Sequence, residues 1–238
     1  MQQSAHDALL KLSEHETAVR DTAVGEYARL PAWYAYIEFE EQRGAPRNRL
    51  RALYERAIVK FFLVGELWSR AATSLSCLWS PTDRIVVRLH ERAVRNVAWS
   101  SAYWRALVDC LVRADASPTN VNATLERALN VTLGSLADYV VMFDVAIEYA
   151  LQRLRIAIAA SAPLDELVAH IGAVRDWCSR ASTCYAGNMR ADANTAQAAL
   201  LAVALLRARI EGQLIAKLEP TVVAAAAESA SAPTVEQI

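Results

Sequence analysis

Lysine is nearly missing from this chain. Lys11, Lys60 and Lys217 are its only lysines in 238 residues, and arginine supplies the rest of the 25 basic side chains. Against 26 acidic residues the formal charge is −1, so the chain lacks the basic surplus with which nucleic-acid binders attract a phosphate backbone. Glycine and proline are scarce, at 7 each. With 54% hydrophobic residues, that scarcity excludes disorder for most of the length and favours packed helices. The four cysteines, Cys77, Cys110, Cys178 and Cys184, form no CxxC and no zinc spacing, and are expected as buried thiols in a reducing compartment. The N-terminus has no apolar signal core. The most apolar stretch, 196–206, falls short of the ~20 residues that cross a bilayer. A soluble intracellular protein with no membrane contact is expected.

The chemistry of catalysis is missing as well. No HExxH, G-x-S-x-G, P-loop or Asp-rich metal motif occurs. His6, His15, His90 and His170 stand apart from one another, and His90 occupies the repeat position of Tyr54, as a packed core residue would. No enzyme, cofactor or metal is expected.

What is there repeats. Leu53-Tyr54-Glu55-Arg56-Ala57, Leu89-His90-Glu91-Arg92-Ala93 and Thr124-Leu125-Glu126-Arg127-Ala128 are near copies, with their glutamates spaced 36 and 35 apart. A second series opens on an aromatic: Trp33, Trp68, Trp104 and Phe143 are spaced 35, 36 and 39 apart. Two independent series with one period mark a repeat architecture. Turn residues fall between them. Pro46, Pro81, Pro118 and Pro163 each precede an amphipathic run, and Ser80-Pro81 and Ser117-Pro118 have the pattern of an N-cap followed by proline at the first helical position. Gly44 follows the first aromatic run, where a left-handed C-terminal cap belongs.

These signals predict A helices at 31–43, 65–78, 100–114 and 136–157 and B helices at 47–62, 82–97, 119–132 and 163–184. The units are 31–62, 65–97, 100–132 and 136–184, followed by a final helix at 192–218. Residues 1–30 form a helical leader, the array spans 31–219, and 220–238 is a low-complexity tail expected to be disordered. The fold class is all-α, an α-α superhelix of antiparallel helix pairs. Each pair carries an apolar stripe too wide to hide alone and buries it by stacking on its neighbours. In the first A helix Trp33, Tyr36, Ile37 and Glu40 share one face. Ala57, Ala93 and Ala128 are small where two helices approach closely.

The words W-x-x-Y-I-x-F-E (Trp33, Tyr36, Ile37, Phe39, Glu40) and Y-E-R-A-I (Tyr54 to Ile58) resemble the half-a-TPR, or HAT, repeat. The W-x-x-L-G-x-x-Y of ordinary tetratricopeptide repeats does not occur. The runs at 35–58, 63–70, 90–104, 124–130 and 137–154 are similar to the HAT domain of the U4/U6 small nuclear ribonucleoprotein recycling factors, with the resemblance extending over about 20–219. It implies a nuclear, non-enzymatic scaffold for protein–protein contacts in pre-mRNA splicing. Its partners would be proteins of a ribonucleoprotein complex and ubiquitin-specific proteases, and the family tends to dimerise through the C-terminal half of its array. Departures occur: Ala71 and Leu75 follow Trp68 where Tyr36 and Phe39-Glu40 predict aromatic and acidic residues. No RNA-recognition-motif signature is found, so direct RNA binding by this chain is not implied. A scaffold of another RNA-processing complex, such as the 3′-end cleavage machinery, and a generic TPR-like peptide adaptor remain alternatives.

Four groups of residues are candidates for contact. Arg51 with Glu40 is expected as a buried pair between the two helices of one unit. Each Glu-Arg (Glu55-Arg56, Glu91-Arg92, Glu126-Arg127) reads as polar cement between repeats or as partner contact. Arg84, Arg88, Arg92 and Arg95 lie on one helix face, supplemented by Arg47, Arg49 and Arg51. That face is either a solvated stripe or a docking surface for an acidic partner or an RNA backbone. The final helix is apolar nearly all round at 197–206, which marks Leu201 and Leu205 as a homodimer or partner interface.

Overall fold

The structure is a computed structural model that describes residues 2–231 apart from Thr22, Val24 and Pro81, and the side chains of 6–212 among these. The described residues form helices and turns, with no strand among them. In chain order the helices are α1 (Gln2–Arg20), a 3₁₀ turn (Tyr27–Arg29), α2 (Leu30–Gln42), α3 (Arg47–Lys60), α4 (Gly65–Leu78) and α5 (Arg84–Asn96). There follow α6 (Ser101–Arg113), α7 (Pro118–Asn130), α8 (Leu136–Ala159), α9 (Leu164–Gly187) and α10 (Ala193–Ser231). The all-α expectation stands. The chain divides into two compact units, 1–134 and 135–238.

In the first unit each helix from α1 to α7 packs on the next, as stacked helix pairs must. The buried stripe recurs with the sequence period. Trp33, Tyr36, Ile37 and Glu40 face inward on α2, Leu67, Trp68, Ala71 and Leu75 on α4, and Trp104, Leu107, Val108 and Leu111 on α6. The departure of Ala71 and Leu75 from the aromatic-and-acid pattern leaves both side chains buried, so burial is kept while polarity is dropped. Ala57, Ala93 and Ala128 are buried at the close approaches.

Three helices end alike. After α2, α6 and α8 the chain turns through a left-handed residue, Gly44 at φ 66°, Asp115 at 50° and Ser161 at 53°. The next residue donates back five positions: Ala45 N–H to Glu40 O, Ala116 to Leu111 and Ala162 to Ala157, each at 3.0 Å. Only the first of these caps is glycine, where a missing Cβ removes the steric cost.

Three differences from the sequence expectation have local causes. The helix expected from 82, with Ser80-Pro81 at its start, begins at Arg84, because the Asp83 carboxylate accepts the Ile85 N–H and is the working cap; Pro81 itself lies outside the described residues. Ser117 does cap α7 by accepting from Asn120 N–H. The final helix does not stop at 218 but continues to Ser231, since the alanines that make the tail low in complexity are also the strongest helix formers; 232–238 lies outside the described residues. The leader is not merely a lead-in. Val19 of α1 belongs to the same buried cluster as Trp33 and Ile58.

In the second unit α9 packs on both α8 and α10. Phe143 meets Trp177 and Tyr185 edge-on, with ring centroids 6.4 and 5.8 Å apart. Arg175 holds Glu211 through two bonds of 2.6 Å, fastening α9 to α10.

Replacing Asp115 or Ser161 by glycine removes a left-handed Cβ from an exposed turn and is expected to stabilise the protein by about 1 kcal/mol each. Urea denaturation followed by circular dichroism measures this; destabilisation of both variants contradicts the assignment.

Candidate functional site

The repeated Glu-Arg words build a ladder. On each B helix the arginine lies over the tryptophan of its own A helix: Arg56 over Trp33, Arg92 over Trp68 and Arg127 over Trp104, with the guanidinium carbon 5.3, 5.4 and 5.5 Å from the ring centroid. Arg92 and Arg56 also reach back one unit. Arg92 Nη1 donates to both Glu55 oxygens at 2.8 and 2.7 Å. Arg56 donates to Glu16 of α1 at 3.2 and 2.7 Å. Two tryptophan indoles also donate to the carbonyl six residues earlier, Trp68 to Phe62 and Trp104 to Ala98 at 2.8 and 2.9 Å. One side chain therefore binds its own hairpin and the preceding one.

The Glu16 partnership exposes a signal that sequence reading missed. His15-Glu16-Thr17-Ala18 has the same register as His90-Glu91-Arg92-Ala93, so α1 acts as the B helix against which α3 pairs. The His15 ring stacks on Tyr36 at 5.5 Å. The missing arginine at Thr17 and a spacing of 39 from Glu16 to Glu55 concealed it.

The expected Glu40–Arg51 pair is corrected. Glu40 is fully buried and is taken by Arg43 and Arg49, each at 2.6 Å, while Arg51 points to solvent. Two residues along α3 rotate a side chain by more than half a turn, which brings Arg49 to the carboxylate and turns Arg51 away. Beside it, Glu41 accepts the Tyr54 hydroxyl at 2.6 Å and Arg70 at 3.3 Å. Burial alone would raise the Glu41 carboxyl, but the bonds from Tyr54, Ser74 and Arg70 outweigh it and hold it below its ordinary value. Tyr54 is pushed well above the usual phenol range by burial and then by Glu41. Glu16 is lowered chiefly by its bond from Arg56.

The arginine stripe on α5 is divided. Arg84, Arg88 and Arg95 are exposed, but Arg92 is occupied by Glu55 and Trp68, and Arg95 donates to the Glu91 carbonyl at 3.1 Å. On α3, Arg47 lies 5.6 Å over Trp79. Arg84 and Arg88 make no ion pair among the described residues. Leu201 and Leu205 are 61% and 62% exposed on α10, opposite the buried face of Ala196, Ala199, Val203 and Ile210.

His90 is only half-buried and faces a groove of about 460 Å³ between α4, α5 and α6, where burial and then Arg113 lower its affinity for a proton. Cys110 and Cys178 are buried and Cys184 is partly so, but Cys77 is exposed, contrary to expectation; it sits on the rim of that groove. Among the described residues no three His, Cys, Asp or Glu side chains gather as a metal site, and no helix is long and apolar enough to cross a membrane.

No protein-family model matches the chain. Curated relatives do. Spliceosome associated factor 3, U4/U6 recycling protein, of Mus musculus is 32% identical over 165 residues, which is 69% of this chain and 17% of the relative. The Homo sapiens protein is 30% identical over the same shares. That of Danio rerio is 34% identical over 144 residues, 60% of this chain and 15% of the relative. The chain is homologous to a segment of the U4/U6 recycling proteins. It spans about a sixth of their length. The resemblance to the U4/U6 recycling proteins is thus shown by comparison over 165 residues.

The lowered carboxylates Glu16 and Glu41 contribute stability above their unfolded value of about 4.5, and it is lost as pH falls through their folded values. Thermal denaturation is expected to show a falling midpoint from about pH 6 to about pH 3, with a shallower fall in Glu41→Gln. A midpoint independent of pH over that range contradicts the assignment.

Proposed function

We propose that this chain is a HAT-repeat scaffold for protein–protein contacts in pre-mRNA splicing, working without catalysis in the nucleus as part of U4/U6 recycling. The observation that carries this reading is homology to proteins named for that role, combined with a fold that spends its conspicuous side chains on holding repeats together. Arg56, Arg92 and Arg127 cover the tryptophans of their units, and Arg56 and Arg92 also hold Glu16 and Glu55, which leaves the surfaces between and beside the units for partners. Direct RNA contact is assigned to other parts of such proteins, since the basic side chains here are balanced by acidic ones and several of the arginines hold carboxylates.

Partner contact is assigned to the exposed Arg84 and Arg88, facing an acidic protein surface. Leu201 and Leu205 are assigned to a homodimer interface or a partner such as a ubiquitin-specific protease. An exposed pair of leucines in an otherwise small-residue face is costly to leave in water. Light scattering is expected to show a concentration-dependent dimer that Leu201→Arg with Leu205→Arg abolishes; a monomer at all concentrations sinks the dimer.

The reading as a whole is tested by affinity capture from nuclear extract and mass spectrometry. Proteins of the U4/U6 particle are expected, with recovery reduced about tenfold by Arg84→Glu with Arg88→Glu. Recovery of cleavage factors, or of chaperones and trafficking proteins, would instead support one of the two alternative scaffolds.

A further inference from the structure

We propose that the hollow between α1, α2 and α3 is a docking pocket for a partner-protein segment that places an aspartate or glutamate next to an aliphatic or aromatic residue, with Arg29 receiving the carboxylate. This rests on the scaffold reading and names the chemistry of one contact.

The hollow measures about 530 Å³, within the range of about 300–1,000 Å³ that ligand sites occupy. Its apolar lining is Val19, Trp33 and Val59. Val19 and Trp33 are buried, whereas Val59, on α3, is 68% exposed, so Val59 supplies the apolar contact area that the fold leaves uncovered. Four cations also face it, and among the described residues three of them have a carboxylate within 4.0 Å while one does not. Arg20 and Arg56 share Glu16 at 2.8 and 2.7 Å. Lys60 has Glu26 at 3.8 Å. Glu55, the acid in the lining, is held by Arg92 at 2.7 Å. Arg29 has no carboxylate partner among the described residues. Its Nη1 reaches only the Val19 carbonyl, at 3.5 Å, and its Nε–H is shut from solvent without an acceptor.

A half-buried guanidinium with unfilled donors is an unfavourable arrangement that an incoming carboxylate corrects, because the planar fork of arginine matches two carboxylate oxygens. The neighbouring apolar surface is covered only if the anion arrives attached to a hydrophobic group, which excludes a bare inorganic ion as the fitting occupant. The surroundings select protein over nucleic acid. A phosphate backbone is held by a track of free cations, whereas here Arg20 and Arg56 already hold Glu16, Lys60 holds Glu26, and Arg29 alone has no carboxylate beside it among the described residues. A single carboxylate meets that one cation without facing repulsion along a strand.

The test is a random-peptide display selection on the purified 238-residue chain. The selected pool is expected to be enriched in Asp or Glu within about three residues of Leu, Ile, Val or Phe, a reach of roughly 10 Å. The best peptide should lose at least about tenfold in affinity on Arg29→Gln and on Asp→Asn or Glu→Gln in the peptide. The two losses combined should be smaller than their product. Val59→Ser changes a solvent-exposed residue and leaves the buried lining intact, so its expected weakening does not depend on refolding. No enrichment above an unrelated control protein, enrichment without acidic residues, unchanged affinity in Arg29→Gln, or stronger competition by a single-stranded oligouridine would each overturn the proposal. Nuclear capture with Arg29→Gln separates the two readings: a failed selection with U4/U6 proteins still recovered removes the pocket alone. Selection that succeeds while those proteins are not recovered removes the splicing role alone.

Discussion

An indole buried between helices and covered by an arginine recurs at Trp33, Trp68 and Trp104, and the rest of the first unit is arranged around that contact. The tryptophan is the largest side chain that each of these helix pairs buries, and about 1–2 kcal/mol is typical for a cation held over a partly desolvated ring. The arginine that covers it also reaches the glutamate of the previous B helix, at least for Arg56 and Arg92. Packing within one hairpin and register between hairpins therefore depend on the same side chain. That coupling explains why the Glu-Arg-Ala word repeats almost unchanged while the positions after each tryptophan drift from Tyr36 to Ala71 to Leu107: those positions need only be apolar and fit.

Much of this was legible in the residues. The aromatic series and the Glu-Arg series predicted helix pairs, their order and most of their boundaries, because a 3.6-residue stripe and a 35-residue period are both properties of sequence alone. What escaped was geometry that sequence spacing does not encode. Asp115 and Ser161 take the left-handed cap that Gly44 takes, and nothing in their identity announces it. The partner of Glu40 was misassigned because residues 49 and 51 differ by more than half a helical turn, which a list of basic residues does not resolve. The stripe of Arg84, Arg88, Arg92 and Arg95 was a correct reading of one helix face, yet a helical wheel cannot show that Glu55 on another helix already holds the third member. Glu16 was overlooked since its word lacks the arginine.

The division of labour follows from these contacts. Several charges that look like candidates for binding are consumed internally, Arg92 and Glu55 among them, and the contacts proposed above fall on side chains left over: two arginines on α5, two leucines on α10 and Arg29 beside Val59. Homology to a segment of the U4/U6 recycling proteins gives those side chains a setting. Longer relatives contain this stretch as a small fraction of their length, in keeping with an array that presents surfaces and leaves other tasks to other regions.

Excising one hairpin tests the central claim most directly. A peptide covering 65–97, which holds α4 and α5, should be largely unstructured by circular dichroism, because Trp68 loses the neighbours that bury it. Extending it through 134, so that α6 and α7 are supplied, should bring helicity and a cooperative melt. A single hairpin that is helical and melts cooperatively by itself would contradict the account.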